Sequence, residues 1–292
     1  TEFALSISEA HSNLINLGRT YRQMGQYDQS LQTYEQADQL NPDQVSLLSL
    51  RVRGEISLEA RSPQQALAYF QQELDILQAQ EDRHEEQLAL AAIGSIYLKR
   101  GDVRQALAFH EPYLELIQAE GDRPTDVESL LDLGQHYQVH GYPEQALGFY
   151  QRALAISTEL QQDADFQFFD GAGTSLSAMG DVLVEQEEAD LAIVFYKAAI
   201  KNYEDIRSQY VGSDIVSDAD FSGLFLGTRT EVYRRLADLL LQRDRILEAQ
   251  QVLDLLKIQE LDDYLGDRPG DVQRSSNSGS DPNVTLRQPE QA

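Results

Sequence analysis

Six times along the chain, a glycine or alanine within one amphipathic stretch is followed twelve positions later by a small residue within the next. The pairs are Gly18 and Ser30, Gly54 and Ala66, Gly94 and Ala106, Gly134 and Ala146, Gly180 and Ala192, and Ala237 and Ala249. A glycine inside a helix costs about 1 kcal/mol relative to alanine. Its return at one register therefore asks for compensation, and the close approach of two antiparallel helices supplies it. Few architectures accept such a ruler, and a stack of helix hairpins is the natural one.

The residues around the small positions carry the same message. Leu14, Leu17, Gly18 and Tyr21 fall on one helical face, followed by Ser30, Tyr34, Ala37 and Pro42. Leu90, Ile93, Gly94 and Tyr97 repeat the face before Ala106, as do Leu130, Leu133, Gly134 and Tyr137 before Ala146 and Tyr150. Looser copies hold Leu50, Gly54, Ala66 and Phe70; Leu176, Met179, Gly180, Leu183, Ala192 and Tyr196; and Tyr233, Leu236, Ala237, Leu240, Ala249 and Leu253. This pattern resembles the tetratricopeptide repeat, Leu-Gly then Tyr on a first helix and Ala then an aromatic on a second. The resemblance implies an all-α, right-handed α-α superhelix of about six helix-turn-helix repeats, near 11–44, 47–80, 87–120, 127–160, 173–206 and 230–263. Together they make a solenoid over 11–265, preceded by a flank or helix at 1–10.

Turn chemistry agrees with that division. Gly25, Gly101 and Gly141 stand where a first helix would end in a left-handed residue. Pro63 and Pro143 stand near the start of second helices, where a missing N–H is harmless. Successive markers lie 36, 40, 40, 46 and 57 residues apart. The 40-residue steps suit lengthened helices, because Leu74, Ile76 and Leu77, and Leu114, Leu116 and Ile117, prolong the apolar pattern. The largest insertion, between Arg207 and Thr230, reads as an ordered loop leading into an extended helix. Pro112, inside a second helix, predicts a kink near Ala108. Residues 266–292 turn abruptly to Gly, Ser, Pro and Asn, the composition of a flexible linker or tail.

Composition narrows the functions available. The 292 residues include no cysteine, which excludes disulfides, zinc-thiolate sites and a cysteine nucleophile among them. A net charge of −26 repels phosphate backbones and anionic lipid, so neither nucleic acid nor a membrane surface is the expected partner. No stretch approaches the roughly 18 consecutive apolar residues of a membrane span. The segment TEFALSISEAHSN lacks the basic and apolar parts of a secretory signal. With no initiating Met the chain reads as processed or trimmed, so the full protein could still carry a signal, and a cytoplasmic location is only the default expectation.

Candidate chemistry is sparse. His11, His84, His110, His136 and His140 fit no catalytic motif. His136 and His140 lie four apart on one helix, a spacing able to seat a metal. No third ligand accompanies them, and the reading is a surface or turn-flanking pair with no metal or cofactor. The many carboxylates read as a solvated face, and Tyr21, Tyr34, Phe70, Tyr97, Tyr137, Tyr150 and Tyr196 as core spacers. The chain is expected to be no enzyme and to act through its surface.

Projected onto a superhelix, the free faces of the first helices would line a concave groove. They carry Ile15, Arg19 and Arg22, then Arg51 and Glu55, then Ala91, Ser95 and Lys99. Leu131, Gln135 and Gln138 follow, then Ser177, Asp181, Arg234 and Asp238. Arg19, Arg22, Arg51 and Lys99 gather positive charge in the N-terminal half. Either an extended acidic peptide docks on them, or they pair with local carboxylates. Chaperone-binding tetratricopeptide proteins hold a C-terminal carboxylate with a Lys and Asn set. Ile15 and Arg19 stand at the corresponding sites, so that role is not implied.

The run EVYRRLADLLLQRDRILEAQQVLDLLKIQELDDYL, residues 231–265, resembles the segment that joins tetratricopeptide repeats to the caspase-like CHAT protease domain in bacterial, notably cyanobacterial, proteins. Its distinctive core is EAQQVLDLLKIQELDDY at 248–264, and the preceding FSGLFLGTRT also suits that family. The resemblance implies a downstream protease domain bearing a His and a Cys, with these residues as its sensing or regulatory arm. A stand-alone adaptor that assembles protein complexes remains the other reading.

Overall fold

The computed structural model describes residues 2–40, 47–163, 165, 169–211 and 218–266, with side chains for 7–40, 47–163, 165, 169–208 and 229–257. The described residues form twelve α-helices and no strand. Consecutive helices pair: α1 (Glu2–Gln23) with α2 (Tyr27–Leu40), α3 (Leu47–Glu59) with α4 (Pro63–Gln80), and α5 (Arg83–Lys99) with α6 (Val103–Glu120). The series continues with α7 (Arg123–Val139) and α8 (Pro143–Leu160), α9 (Gly171–Glu185) and α10 (Ala189–Val211), and α11 (Asp218–Gln242) and α12 (Ile246–Gly266). Two compact units result, 1–211 with α1–α10 and 212–292 with α11 and α12.

The twelve-residue ruler has a local cause, seen in all six hairpins. Seven residues after each marker, the backbone turns left-handed: Gly25, Arg61, Gly101, Gly141, Glu187 and Asp244 all have φ between 56° and 81°. The next N–H then reaches back to the carbonyl five residues earlier, as from Gln26 to Tyr21, Ser62 to Ser57, Asp102 to Tyr97 and Tyr142 to Tyr137. Glu188 to Leu183 and Arg245 to Leu240 complete the set. This is the Schellman closure of a helix C-terminus. The residue that donates this bond begins the next helix, and its carbonyl receives the N–H of the small residue four further on, as from Ser30 to Gln26 and Ala249 to Arg245. Gly serves at three of the turns as expected. Arg61, Glu187 and Asp244 take the same strained conformation without glycine's freedom.

The marker glycine makes room chiefly for a ring sixteen residues on. A Cβ at Gly18 would lie 2.8 Å from Tyr34, at Gly54 2.7 Å from Phe70, and at Gly180 2.7 Å from Tyr196. Gly94 and Gly134 are crowded still more closely by His110 and Tyr150. The contact between the two small residues is real where Ser30 donates its hydroxyl to the Gly18 carbonyl at 2.7 Å. In the last hairpin the ring position holds Leu253, and there the marker is Ala237. A branched aliphatic chain leaves space for the methyl that a ring excludes.

Capping fixes the other helix ends. The Asp82 and Asp102 side chains accept the N–H groups of Glu85 and Gln105, each satisfying an orphan donor. Pro63 and Pro143 open α4 and α8. The helices α4 and α6 are 18 residues each, and this accounts for the two 40-residue steps; α8, of the same length, falls in the 46-residue step. Pro112 lies inside α6, which continues through it to Glu120. Residues 2–10 belong to α1, and the described parts of the 207–230 insertion are helical, in α10 to Val211 and α11 from Asp218. Pro42, residues 212–217 and the tail from 267 onward lie outside the described residues. No described helix is long and apolar enough to cross a membrane.

Candidate protein-interaction face

In the first unit, the free side of each first helix forms a stripe at helical spacing. On α3 it reads Leu48, Arg51, Glu55 and Leu58; on α5, Glu85, Leu88, Ala91, Ser95 and Lys99. Cross-helix bonds tie the stripes side by side. From α1, Arg22 Nε donates to Glu59 Oε1 of α3 at 3.1 Å, and Nη2 lies 3.0 Å from Glu55 Oε2. From α3, Arg51 reaches Glu85 of α5. From α7, Gln138 Nε2 donates to Glu185 Oε1 of α9 at 2.7 Å.

Arg22 and Arg51 therefore do not stand free. Arg51 Nε also donates to Glu73 Oε1 of α4 at 2.7 Å, and Glu73 is fully buried. Hydrogen bonds to Glu59 and Glu55 hold the Arg22 guanidinium above its ordinary range. Burial, ahead of the opposing pull of Arg51, pushes the Glu73 carboxyl upward. Glu55 is among the expected groove residues, but Glu59, Glu73 and Glu85 were passed over in the linear reading because the arginines they meet lie 22 to 37 positions away. For Glu59, four residues after Glu55 on the same helix, that spacing was the available signal.

The other expected groove residues divide. Ile15 and Leu131 are half-buried and pack against apolar clusters, Ile15 near Leu31, Tyr34 and Ile56 and Leu131 near Leu130 and Leu133. Asp181 accepts the Tyr196 hydroxyl at 2.6 Å, and Gln138 Oε1 accepts that of Tyr150 at 2.9 Å. Arg19, Lys99 and Gln135 are exposed, and Ala91, Ser95 and Ser177 are half-buried. Arg234 and Asp238 are exposed on α11, in the second unit. Among the polar residues stand apolar ones left in solvent: Leu48 at 63% exposure, Leu88 at 49% and Val139 at 75%, with Leu58 and Val184 less so.

The histidines behave differently from one another. His110 is wholly buried at the ring position of the third hairpin, four residues after Ala106, a place the repeat pattern itself marks. Its Nδ1 lies 3.0 Å from the Tyr137 hydroxyl, while Nε2 has no partner. Burial, reinforced by His136, lowers its pKa to about 4. His136 and His140 lie with ring centroids 5.1 Å apart, and the His140 Nδ1 is bonded to the His136 carbonyl at 2.8 Å. Among the described residues no three His, Cys, Asp or Glu side chains are placed to hold a metal ion.

Tetratricopeptide-repeat family models match residues 85–159 and 11–44. The chain is an all-α helical-repeat protein, and its repeats over those stretches are tetratricopeptide repeats. A comparison with curated proteins yields no match. Among solved structures, the chain is similar to BtubC (BKLC) from P. vanneervenii at 17% identity and TM-score 0.46, over 90% of this chain and 98% of that one. It is also similar to kinesin-light-chain-derived, nearly identical TPR-like repeats from Podosopora anserina, at 16% identity and TM-score 0.47, over 69% and 97%. The apo quorum sensor NprR from B. thuringiensis matches at 14% identity and TM-score 0.41, over 85% and 75%.

Proposed function

We propose that this chain is a non-catalytic protein-interaction scaffold that receives an extended segment of another protein along the free faces of its first helices. The observation that carries the reading is the stripe of first-helix faces, fastened laterally from α1 through α3 to α5 and again from α7 to α9. Ion pairs and a side-chain hydrogen bond tie neighbouring helices within each group, while Leu48, Leu58, Leu88, Val139 and Val184 remain in solvent. Exposed apolar side chains in a rim of polar ones are the usual make-up of a recognition surface. Its test is capture with the full chain, followed by mass spectrometry. A Leu48→Ser, Leu88→Ser double variant should lose a captured partner that wild type retains, and equal retention would reject the face.

The finer reading is that the scaffold is the sensing arm of a larger CHAT-type protease protein. What supports it is the resemblance of residues 231–265, which fall on α11 and α12, the hairpin that departs from the glycine-ring pattern. The reading frame following Ala292 tests it. A domain with paired His and Cys is expected there, and a stop codon would leave the stand-alone adaptor.

A further inference from the structure

Four carboxylates, Glu55, Glu59, Glu73 and Glu85, gather around two guanidiniums on the faces of α1, α3 and α5 and the flank of α4. Arg19, one turn from Arg22 on α1, still leaves the carboxylates in the majority. One of them has an unmet need: Glu73 is fully buried, its Oε1 is on Arg51, and its Oε2 has no partner. Arg51 cannot serve it fully, because Nη2 is shared with Glu85. The rim of the set is open, with the side chains of Glu55 at 43% and Glu85 at 35% exposure. Leu48 and Leu88, exposed one turn away on α3 and α5, offer apolar support on either side.

We propose that this set is a docking site for a cationic side chain, lysine or arginine, of an extended partner peptide; the inference rests on the scaffold reading above. The incoming cation takes Glu85 and Glu55 at the rim. Arg51, released from Glu85, then turns both N–H groups onto Glu73 and satisfies Oε2. Charge complementarity selects this occupant, because the set is short of positive charge and of donors. An acidic peptide would meet the same four carboxylates and be repelled. A metal ion is not the fit, since no three of these groups converge as ligands.

The test is fluorescence anisotropy with the full chain and a labelled ten-residue peptide carrying two arginines among Leu and Ser. Matched peptides replace arginine with citrulline or with glutamate. The arginine peptide should bind, and the citrulline form should lose about ten-fold, the loss expected for charge-assisted hydrogen bonds. Glu55→Gln, Glu85→Gln should cause a similar loss, while Glu187→Gln, Glu188→Gln on the α9–α10 turn, which removes the same charge, should cause little. An equal loss from the turn variant would reduce the effect to net charge and overturn the site. Equal binding of the citrulline peptide, measured on wild type alone, would overturn it whatever the variants do. A random-peptide library separates the two proposals. Neutral or acidic ligands sensitive to Leu48→Ser would sink this site and leave the scaffold standing, whereas no peptide ligand of any charge would sink both.

Discussion

The seam between the first two hairpins is fastened by a buried charge network, and the seam between the third and fourth by buried hydrocarbon and rings. The Arg152–Glu111 ion pair at the second seam has side chains 38% and 47% exposed. Between α2, α3 and α4, Arg53 Nη1 donates to Asp38 Oδ2 at 2.8 Å, and Nη2 to Glu35 at 3.1 Å and to the Tyr69 hydroxyl at 3.0 Å. Its guanidinium also lies 4.2 Å over the Tyr69 ring. Among the described residues, the buried members of the apolar cluster there are Leu31, Tyr34 and Ile56. Between α6, α7 and α8 the cluster includes Leu114, Val127, Leu130, Tyr137, Phe149 and Tyr150, with Tyr137 and Phe149 rings 5.1 Å apart. The same hairpin geometry can thus be fastened in two ways. They differ in how they fail, since a broken buried ion pair leaves a naked charge and a truncated leucine leaves a cavity.

Arg53→Met breaks the first seam most severely. The Arg53 side chain is 12% exposed and that of Asp38 is 9%, so Asp38 would be left buried without its cation. The expected cost is about 4 kcal/mol, measured by urea unfolding. Asp38 Oδ1 and Arg53 Nε already lack partners, so the network is imperfectly satisfied. Arg53→Met with Asp38→Leu should therefore recover most of that loss. Two costs that simply added would show that the pair was not acting as one unit.

Leu130→Ala strikes the second seam at a side chain with no exposure. Loss of transfer free energy plus a residual cavity should cost about 3 kcal/mol, with little dependence on salt. No second substitution of a polar partner should rescue it, in contrast to Arg53→Met. A loss under about 1 kcal/mol would mean that this seam collapses to fill the gap and is less tightly packed than it looks.

How much of this difference was legible in the sequence depends on the range of the interaction. The hairpins, their twelve-residue ruler and the turn glycines were readable because they are set by residues within one or two turns of each other. The left-handed Arg61, Glu187 and Asp244 were not, since nothing in those side chains announces φ above zero; only their register, seven residues after each marker, does. The Arg53 network joins residues 15 to 18 apart across three helices, and whether an arginine meets a carboxylate there depends on how one hairpin docks on the next. Arg22, Arg51 and Glu55 were named from the sequence, but the bonds that join them to one another and to Glu59, Glu73 and Glu85 were not, for the same reason. His110 was within reach, because it occupies the ring position, yet counting histidines against catalytic motifs passed over its place in the repeat.

His110 gives the second seam a pH dependence that a phenyl ring would lack. Its folded pKa, about 4, lies below the ordinary value of 6.5, so the unfolded chain binds the proton more readily. The sign follows: stability is intact above about pH 6.5, falls as pH drops, and levels off below about 4. By pH 5 the loss attributable to this group is about 2 kcal/mol. His110→Phe should remove that component. It also leaves the Tyr137 hydroxyl unpartnered, a pH-independent cost of about 1 kcal/mol. The variant should thus be slightly weaker than wild type at pH 7.5 and stronger at pH 5, with the two stability curves crossing. Parallel curves would place the proton uptake elsewhere among the carboxylates.

The smallest effect separates burial from mere pairing. Arg123 Nη2 lies 2.6 Å from Glu159 Oε2, a shorter contact than either made by Arg53 with its carboxylates, but the two side chains are 45% and 63% exposed. Water already solvates both charges, and ordering two long side chains costs entropy that offsets most of the attraction. Arg123→Gln should therefore change stability by less than about 0.5 kcal/mol at 0.15 M salt, roughly a tenth of the effect of Arg53→Met. Raising the salt to about 1 M should shrink that difference further, because the screening length then falls to about 3 Å, comparable to the separation of the pair. A loss of 2 kcal/mol or more from Arg123→Gln would mean that α7 and α8 also depend on charge. The contrast between the two seams would then lie in where the ion pairs sit along the hairpins, with hydrocarbon only a supplement to them.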